Sequence, residues 1–251
     1  MVRIDFIGAP GSGKTTLINE MLARNIIKNA SKLSEARRDV LYDFFAPDTV
    51  STSKYLKSFI IRKLLRKNYT TYCRRKLNEF FSQVIEEYDS ILNLILNNLV
   101  KNKSDSDYLK YKRMGWFIQI LEDTLLVSKH SVAKIVFCDE SLSSKLLQPD
   151  FGLSYKDINK KLKVSLMPSA FVHVLCKEDV LNKRLLVRKK LTLNHSGMDS
   201  DFKEAIKESI IASDVVADKL LKLEIPCLQI NSEDHIDDNL VKIVKFINQM
   251  K

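Results

Sequence analysis

The sequence predicts one α/β domain built on a parallel sheet, with a large helical insertion. Three observations carry that expectation. A short apolar run, Val2 to Ile7, passes through a glycine-rich turn into a helical segment at Thr15 to Leu22. Three more strand-like runs, Ala133 to Cys138, Ser169 to Cys176 and Pro226 to Ile230, are each followed by helical patterning. Between about 50 and 130 the alternation stops, and Ser53 to Val100 contains neither Gly nor Pro.

The bulk properties fit one domain spanning 1-251, since 251 residues can bury a single substantial core. Hydrophobic residues are 45% and charged residues 29%, as in soluble globular chains. No apolar stretch approaches the roughly 18 residues of a membrane span, and no leader pattern opens the chain. A cytoplasmic location is therefore expected. Cys73, Cys138, Cys176 and Cys227 are too scattered for a zinc site and are expected to be free thiols, the last three as small core residues. The net charge of +10 attracts anions: a nucleotide, nucleic acid, acidic lipid or a phosphorylated acceptor.

Taken in order, the first strand ends in Gly8, Ala9, Pro10, Gly11, Ser12, Gly13, Lys14, Thr15, Thr16. This matches G-x-x-x-x-G-K-[ST], a loop whose glycines let backbone N–H groups turn toward phosphates. Lys14 would reach the β and γ phosphates, and the Thr15 hydroxyl would meet Mg²⁺. The helix after the loop presents its positive end to the same anion. Nucleotide binding follows from this strand, loop and helix together.

Arg24 to Arg38 reads as a polar stretch containing Lys32, and Asp39 to Phe45 as a second strand or a helix end. The insertion carries apolar residues at helical spacing, from Tyr55, Leu56 and Phe59 through Phe81, Val84, Tyr88, Ile95 and Leu99. Its first part is basic, with Lys54, Lys57, Arg62, Lys63, Arg66 and Lys67, then Arg74, Arg75 and Lys76. That run is either a solvated face or a positive wall over the active site. Lys101 to Asp107 reads as a loop and Tyr108 to His130 as a helix carrying Trp116, Phe117, Ile120, Leu121 and Leu125, with Asp105 or Ser106 as its cap.

The strand Ala133 to Cys138 ends in Asp139-Glu140-Ser141. Ligands of open parallel sheets gather at the carboxyl ends of strands, where an Asp beside the loop strand faces the nucleotide's Mg²⁺. The alternative is a carboxylate pair that merely closes the strand and caps a helix. Residues 151 to 164 read as a loop with a short helix. His173 lies mid-strand and reads as a packed core histidine. In Lys177 to Lys190, Arg184 and Arg188 lie one turn apart on one helix face, and a loop containing His195 and Gly197 follows. A long helix from Asp201 to Leu223, the last strand and a helix from Asp237 to Met250 complete the chain.

With these elements assigned, the chain resembles the P-loop kinases of the nucleoside and nucleotide kinase group, which includes thymidylate and adenylate kinases. The resemblance rests on Gly8 to Thr15, Asp139-Glu140-Ser141, Arg184-x-x-x-Arg188 and the terminal strand, loop and helix from Pro226. It implies a three-layer fold, helices on both faces of a parallel five-stranded sheet in the order 2-3-1-4-5, and a lid at about 180 to 200. It also implies an ATP-dependent kinase with Lys14, Arg184 and Arg188 on the transferring phosphate. Asp139 would lie near Mg²⁺ and the acceptor hydroxyl, with Asn231 and Ser232 near adenine. Arg37, Arg38 and Glu140 become candidate acceptor contacts.

The strand end lacks the Asp-Arg-Tyr of thymidylate kinases and the Glu-Arg-Ser of deoxynucleoside kinases. The enlarged basic region suits a bulky or anionic acceptor: a phosphorylated sugar, a glycan or a nucleic-acid end. Two other readings stay open. A GTPase is suggested by Cys176-Lys177-Glu178-Asp179, although Asn is missing and no D-x-x-G follows the first strands. An ATP-dependent nucleic-acid-binding protein is suggested by the charge and the basic run at 54 to 76, although the sequence supplies no separate binding module.

Overall fold

The computed structural model describes residues 1–44, 77–84, 88–101, 106–148, 166–187 and 199–250. The basic run at 54 to 76, the short helix expected in 151 to 164, Arg188, and the loop with His195 and Gly197 lie outside the described residues.

Five strands form one parallel sheet: β1 (Val2–Ile7), β2 (Ala30–Lys32), β3 (Ile135–Cys138), β4 (Ala170–Leu175) and β5 (Cys227–Asn231). Their order is β2-β3-β1-β4-β5, with β1 central, so the loop after β1 opens at the carboxyl edge between two neighbours. Register places Asp5 opposite both Cys138 and Phe171. Of the two readings of Asp39 to Phe45 the helix end holds as far as Phe44, the last described residue there, because Leu33–Phe44 is one helix, α2, and the second strand lies before it. Strand β2 has three half-buried residues, Ala-Ser-Lys, and pairs only with β3. An edge strand so short carries no hydrophobic alternation that a sequence pattern could reveal.

The remaining helices are α1 (Lys14–Ala23), α3 (Asp89–Lys101), α4 (Asp107–His130), α5 (Leu142–Leu147), α6 (Glu178–Val187), α7 (Asp199–Lys222) and α8 (Ile236–Gln249). Helix α7 starts two residues before the expected position. Ser106 caps α4, its hydroxyl accepting from the Leu109 amide at 3.3 Å. Among the described residues, no helix is long and apolar enough to cross a membrane.

Strand side chains alternate between two cores. On one face Ile4, Phe6, Val172, Val174 and Ile230 pack with Leu17, Ile18 and Met21 of α1 and Leu240, Ile243 and Ile247 of α8. On the other, Ile7 and Phe171 pack with Ile95, Phe117, Leu121, Leu125, Leu146 and Leu220 from α3, α4, α5 and α7. The run Val2 to Ile7 is less apolar than its burial suggests. Arg3 and Asp5 are both buried, with Arg3 Nε 3.2 Å from Asp5 Oδ1. Arg3 Nη2 also donates to the Leu166 carbonyl at 2.5 Å, and Ser143 donates to the Asp5 carboxylate. The pair ties the central strand to α5 and to the segment entering β4.

Candidate functional site

The loop between β1 and α1 is shaped by its glycines. A Cβ on Gly8 would lie 2.6 Å from the Val174 carbonyl oxygen, so only glycine lets β4 approach so closely. Gly13 holds φ at +100° as the N-cap of α1, in the left-handed region that favours glycine. No side chain caps α1, so its first amides keep their donors for an anion at the helix's positive end. Lys14 Nζ donates to the Gly8 carbonyl at 2.6 Å and the Ala9 carbonyl at 2.9 Å. Burial lowers its pKa to about 8, against the pull of Asp139 and Glu140.

Thr15 follows on α1 and points at β3. Its hydroxyl donates to Asp139 Oδ2 at 2.7 Å, and Lys32 Nζ reaches the same oxygen at 2.9 Å. Burial pushes the Asp139 pKa up, but the hydrogen bonds from Lys32 and Thr15 outweigh it and hold the carboxyl below its usual value. A hydroxyl and a carboxylate in contact are hard oxygen donors of the kind Mg²⁺ takes, with phosphates and water supplying its other ligands. Among the described residues, no group of three or more His, Cys, Asp or Glu could hold a metal by itself. The Thr15 and Asp139 oxygens fit a Mg²⁺ that takes its remaining ligands from phosphates and water.

Beyond Asp139 opens a cavity of about 480 Å³, lined by Lys32, Leu33, Ser34, Trp116, Gln119, Ile120, Asp123, Asp139, Glu140 and Lys145. Arg37 reaches its wall indirectly, its Nε lying 2.5 Å from Asp123 Oδ1, whereas Arg38 stays exposed beside Asp39. Burial pushes the Asp123 carboxyl up to about 6 despite the Arg37 guanidinium. Lys145 is close enough to depress Lys14 and lies 5.6 Å from the Trp116 ring centroid.

On the opposite side of the loop, Arg184 of α6 joins three segments. Its Nη1 donates to Ser232 Oγ at 3.0 Å and to the Gly11 carbonyl at 3.5 Å, and its Nη2 donates to the Ser232 carbonyl at 3.1 Å. The Ser232 amide donates to the Leu175 carbonyl, while the Asn231 carbonyl accepts from Asn239 at 2.7 Å. Lys177 is tied to Glu233 at 2.9 Å across the same edge.

The structure thus brings Lys14, Thr15, Asp139, Arg184 and Ser232 around one loop. Glu140 and Arg37 fall on the cavity side and Arg38 at the surface. His173 is a packed histidine, as its strand position implied, with Nε2 3.3 Å from Asp214 and its pKa lowered by burial. Cys138 is buried, whereas Cys176 and Cys227 are only half-buried, and all three are free. Sequence reasoning did not assign site roles to Lys32, Trp116, Gln119, Asp123 or Lys145. Trp116 reads as a core position by periodicity, yet the core residue is its neighbour Phe117. The available signal was the spacing of Trp116, Gln119 and Asp123, which puts them on one helix face. No family model and no curated protein matches this chain.

Proposed function

We propose that this protein is an ATP-dependent phosphotransferase moving the γ-phosphoryl group of ATP to a hydroxyl or phosphate of an acceptor held in the cavity beyond Asp139. The observation that carries the reading is the 2.7 Å contact from Thr15 to Asp139, because Thr15 belongs to the nucleotide loop and Asp139 to the cavity wall. Two half-sites meeting at one carboxylate are what in-line transfer needs. Thr15 and Asp139 would hold Mg²⁺, which would supply neutralisation of the transferring phosphate's charge.

The chain's own residues supply positioning and charge. The α1 amides and Lys14 grip the phosphates, and Lys14 leaves the loop carbonyls when a phosphate oxygen offers a better acceptor. Arg184 neutralises charge from the opposite side while fixing the loop against Ser232. Asp139 remains ionised and orients the acceptor, and Glu140 beside it takes the hydroxyl proton. ATP is favoured over GTP because Cys176 replaces the guanine-reading Asn and Lys177 is engaged by Glu233.

The test is a screen of hydroxyl and phosphate acceptors with γ-labelled ATP, using Lys14→Ala as the blank. Transfer should vanish in Lys14→Ala and fall by a factor of order 10³ in Arg184→Ala. Equal turnover in Arg184→Ala would remove that residue's role, and label transfer surviving Lys14→Ala would sink the reading.

A further inference from the structure

The exposed half of α4 carries a pattern that the donor loop does not explain. Tyr108, Lys112, Trp116, Gln119 and Asp123 follow one another at helical spacing down a single face, and the last three line the acceptor cavity. Tyr108 is 67% exposed and Trp116 39%. Tyr111, in the next row, is 79% exposed. The Lys112 ammonium makes no ion pair among the described residues and lies 4.9 Å from the Tyr108 ring centroid and 6.0 Å from that of Trp116. Below them, Lys145 continues from Trp116 toward Lys14. Rings alternating with cations thus lead from solvent to the site of transfer.

Resting on the phosphotransferase reading, we propose that the acceptor is the hydroxyl-bearing end of a single strand of nucleic acid. The strand lies along the Tyr108–Lys112–Trp116 stripe, and its terminal nucleoside occupies the cavity beneath Trp116. Each base has a face to stack on Tyr108 or Trp116, and each phosphate a charge for Lys112 or Lys145. Tyr108 and Trp116 are eight residues apart on the helix, about 12 Å at 1.5 Å per residue, which a few nucleotides of extended strand can span. A neutral glycan could stack on the same rings but would leave the Lys112 ammonium between them without a counter-charge. The chain's net charge of +10 favours the polyanion as well. In the transfer, the terminal hydroxyl oxygen bonds to the γ phosphorus of ATP while the bond from that phosphorus to the β,γ-bridging oxygen breaks. ADP leaves with the electron pair, and the hydroxyl proton goes to Glu140.

Trp116 is the only tryptophan in the chain, so its fluorescence reports on the stripe. The experiment titrates the full-length protein with a short oligonucleotide bearing hydroxyls at both ends, then adds γ-labelled ATP. Versions phosphorylated at the 5′ or the 3′ end identify the end that accepts. Free nucleosides and a neutral oligosaccharide serve as competing acceptors. The expected result is quenching of Trp116, binding that weakens as salt rises, and label on the strand end. Tyr108→Ala/Lys112→Ala should lose roughly 10- to 100-fold in strand affinity, the loss of one stacked base and one phosphate contact, while binding ATP normally. Read by the anisotropy of a dye-labelled strand, since these variants lack the tryptophan, Trp116→Phe should retain strand binding and Trp116→Ala should lose it.

Labelling of nucleosides or the oligosaccharide without binding or labelling of the strand overturns this inference and leaves the phosphotransferase standing. Strand affinity unchanged in Tyr108→Ala/Lys112→Ala overturns it as well. Strand binding on the stripe without any phosphoryl transfer removes the phosphotransferase reading and the acceptor role together, while wild-type protein that binds no ATP removes the phosphotransferase reading at its donor half.

Discussion

Lys32→Met isolates the contribution of a residue that the sequence does not single out. In the folded protein Lys32 Nζ lies 2.9 Å from Asp139 Oδ2, with both side chains 19% exposed. A hydrogen bond to a charged group contributes about 1.5–3 kcal/mol net, and partial exposure places this one at the lower end. If that hold on Asp139 is fully used in the transition state, its loss slows phosphoryl transfer by roughly 10- to 30-fold. Methionine keeps most of the lysine stem's packing, so the fold should be retained. The pH dependence gives a sharper readout. Burial raises the Asp139 pKa, while Lys32 and Thr15 together bring it below the usual value. Without Lys32 the burial effect gains weight, and the acid limb of kcat/KM moves to higher pH. Stability follows the same sign. A depressed carboxylate stabilises the fold above its unfolded pKa and loses that contribution as pH falls through the folded one. The variant should therefore lack part of the wild type's stability near neutral pH and show a shallower loss on acidification, read from thermal unfolding between neutral and acid pH. An acid limb at the same pH in Lys32→Met and wild type would refute the assignment of Lys32 as the group holding Asp139 ionised.

Two further outcomes are expected. Burial lowers the Lys14 pKa to about 8, so ATP affinity measured by calorimetry should decline as pH rises through that value, and Lys14→Arg should lack this limb. The contribution of Lys14 to stability runs the other way: between about 8 and the ordinary lysine value of 10.5 the unfolded chain binds the extra proton, so stability rises as pH increases. Asp5→Ala leaves Arg3 buried without its partner and should cost about 3–5 kcal/mol in urea unfolding, with an Arg3→Met/Asp5→Leu double variant recovering most of it.

The loop side of the site is legible in the residues because it is made by consecutive positions. Gly8 to Thr16 specify the loop through backbone freedom, and the same stretch supplies Lys14 and the end of α1. Asp139 is readable because the apolar run Ala133 to Cys138 marks a buried strand and its end marks the sheet's carboxyl edge. The cavity side is spread over α2, α4, α5 and the end of β2, and no local pattern joins Lys32 to Trp116 or Arg37 to Asp123. Strand β2 escapes notice because three half-buried residues bury too little apolar surface to show a period. The charged pair Arg3 and Asp5 hides within the clearest strand of all, since alternation on a strand buried on both faces is set by what packs against it.

The sequence by itself determined the class of the fold, the strand order expected from its resemblance, the glycine-rich loop and the carboxylate facing it. These depend on short-range backbone requirements and on the period of apolar residues, both written in neighbouring positions. Tertiary structure alone decided that Lys32 holds Asp139, that Arg184 is braced by Ser232, and that one face of α4 runs from exposed rings into the cavity beyond Asp139. Those contacts depend on where helices separated by up to a hundred or more residues come to rest, and that is settled by packing on the two faces of the sheet.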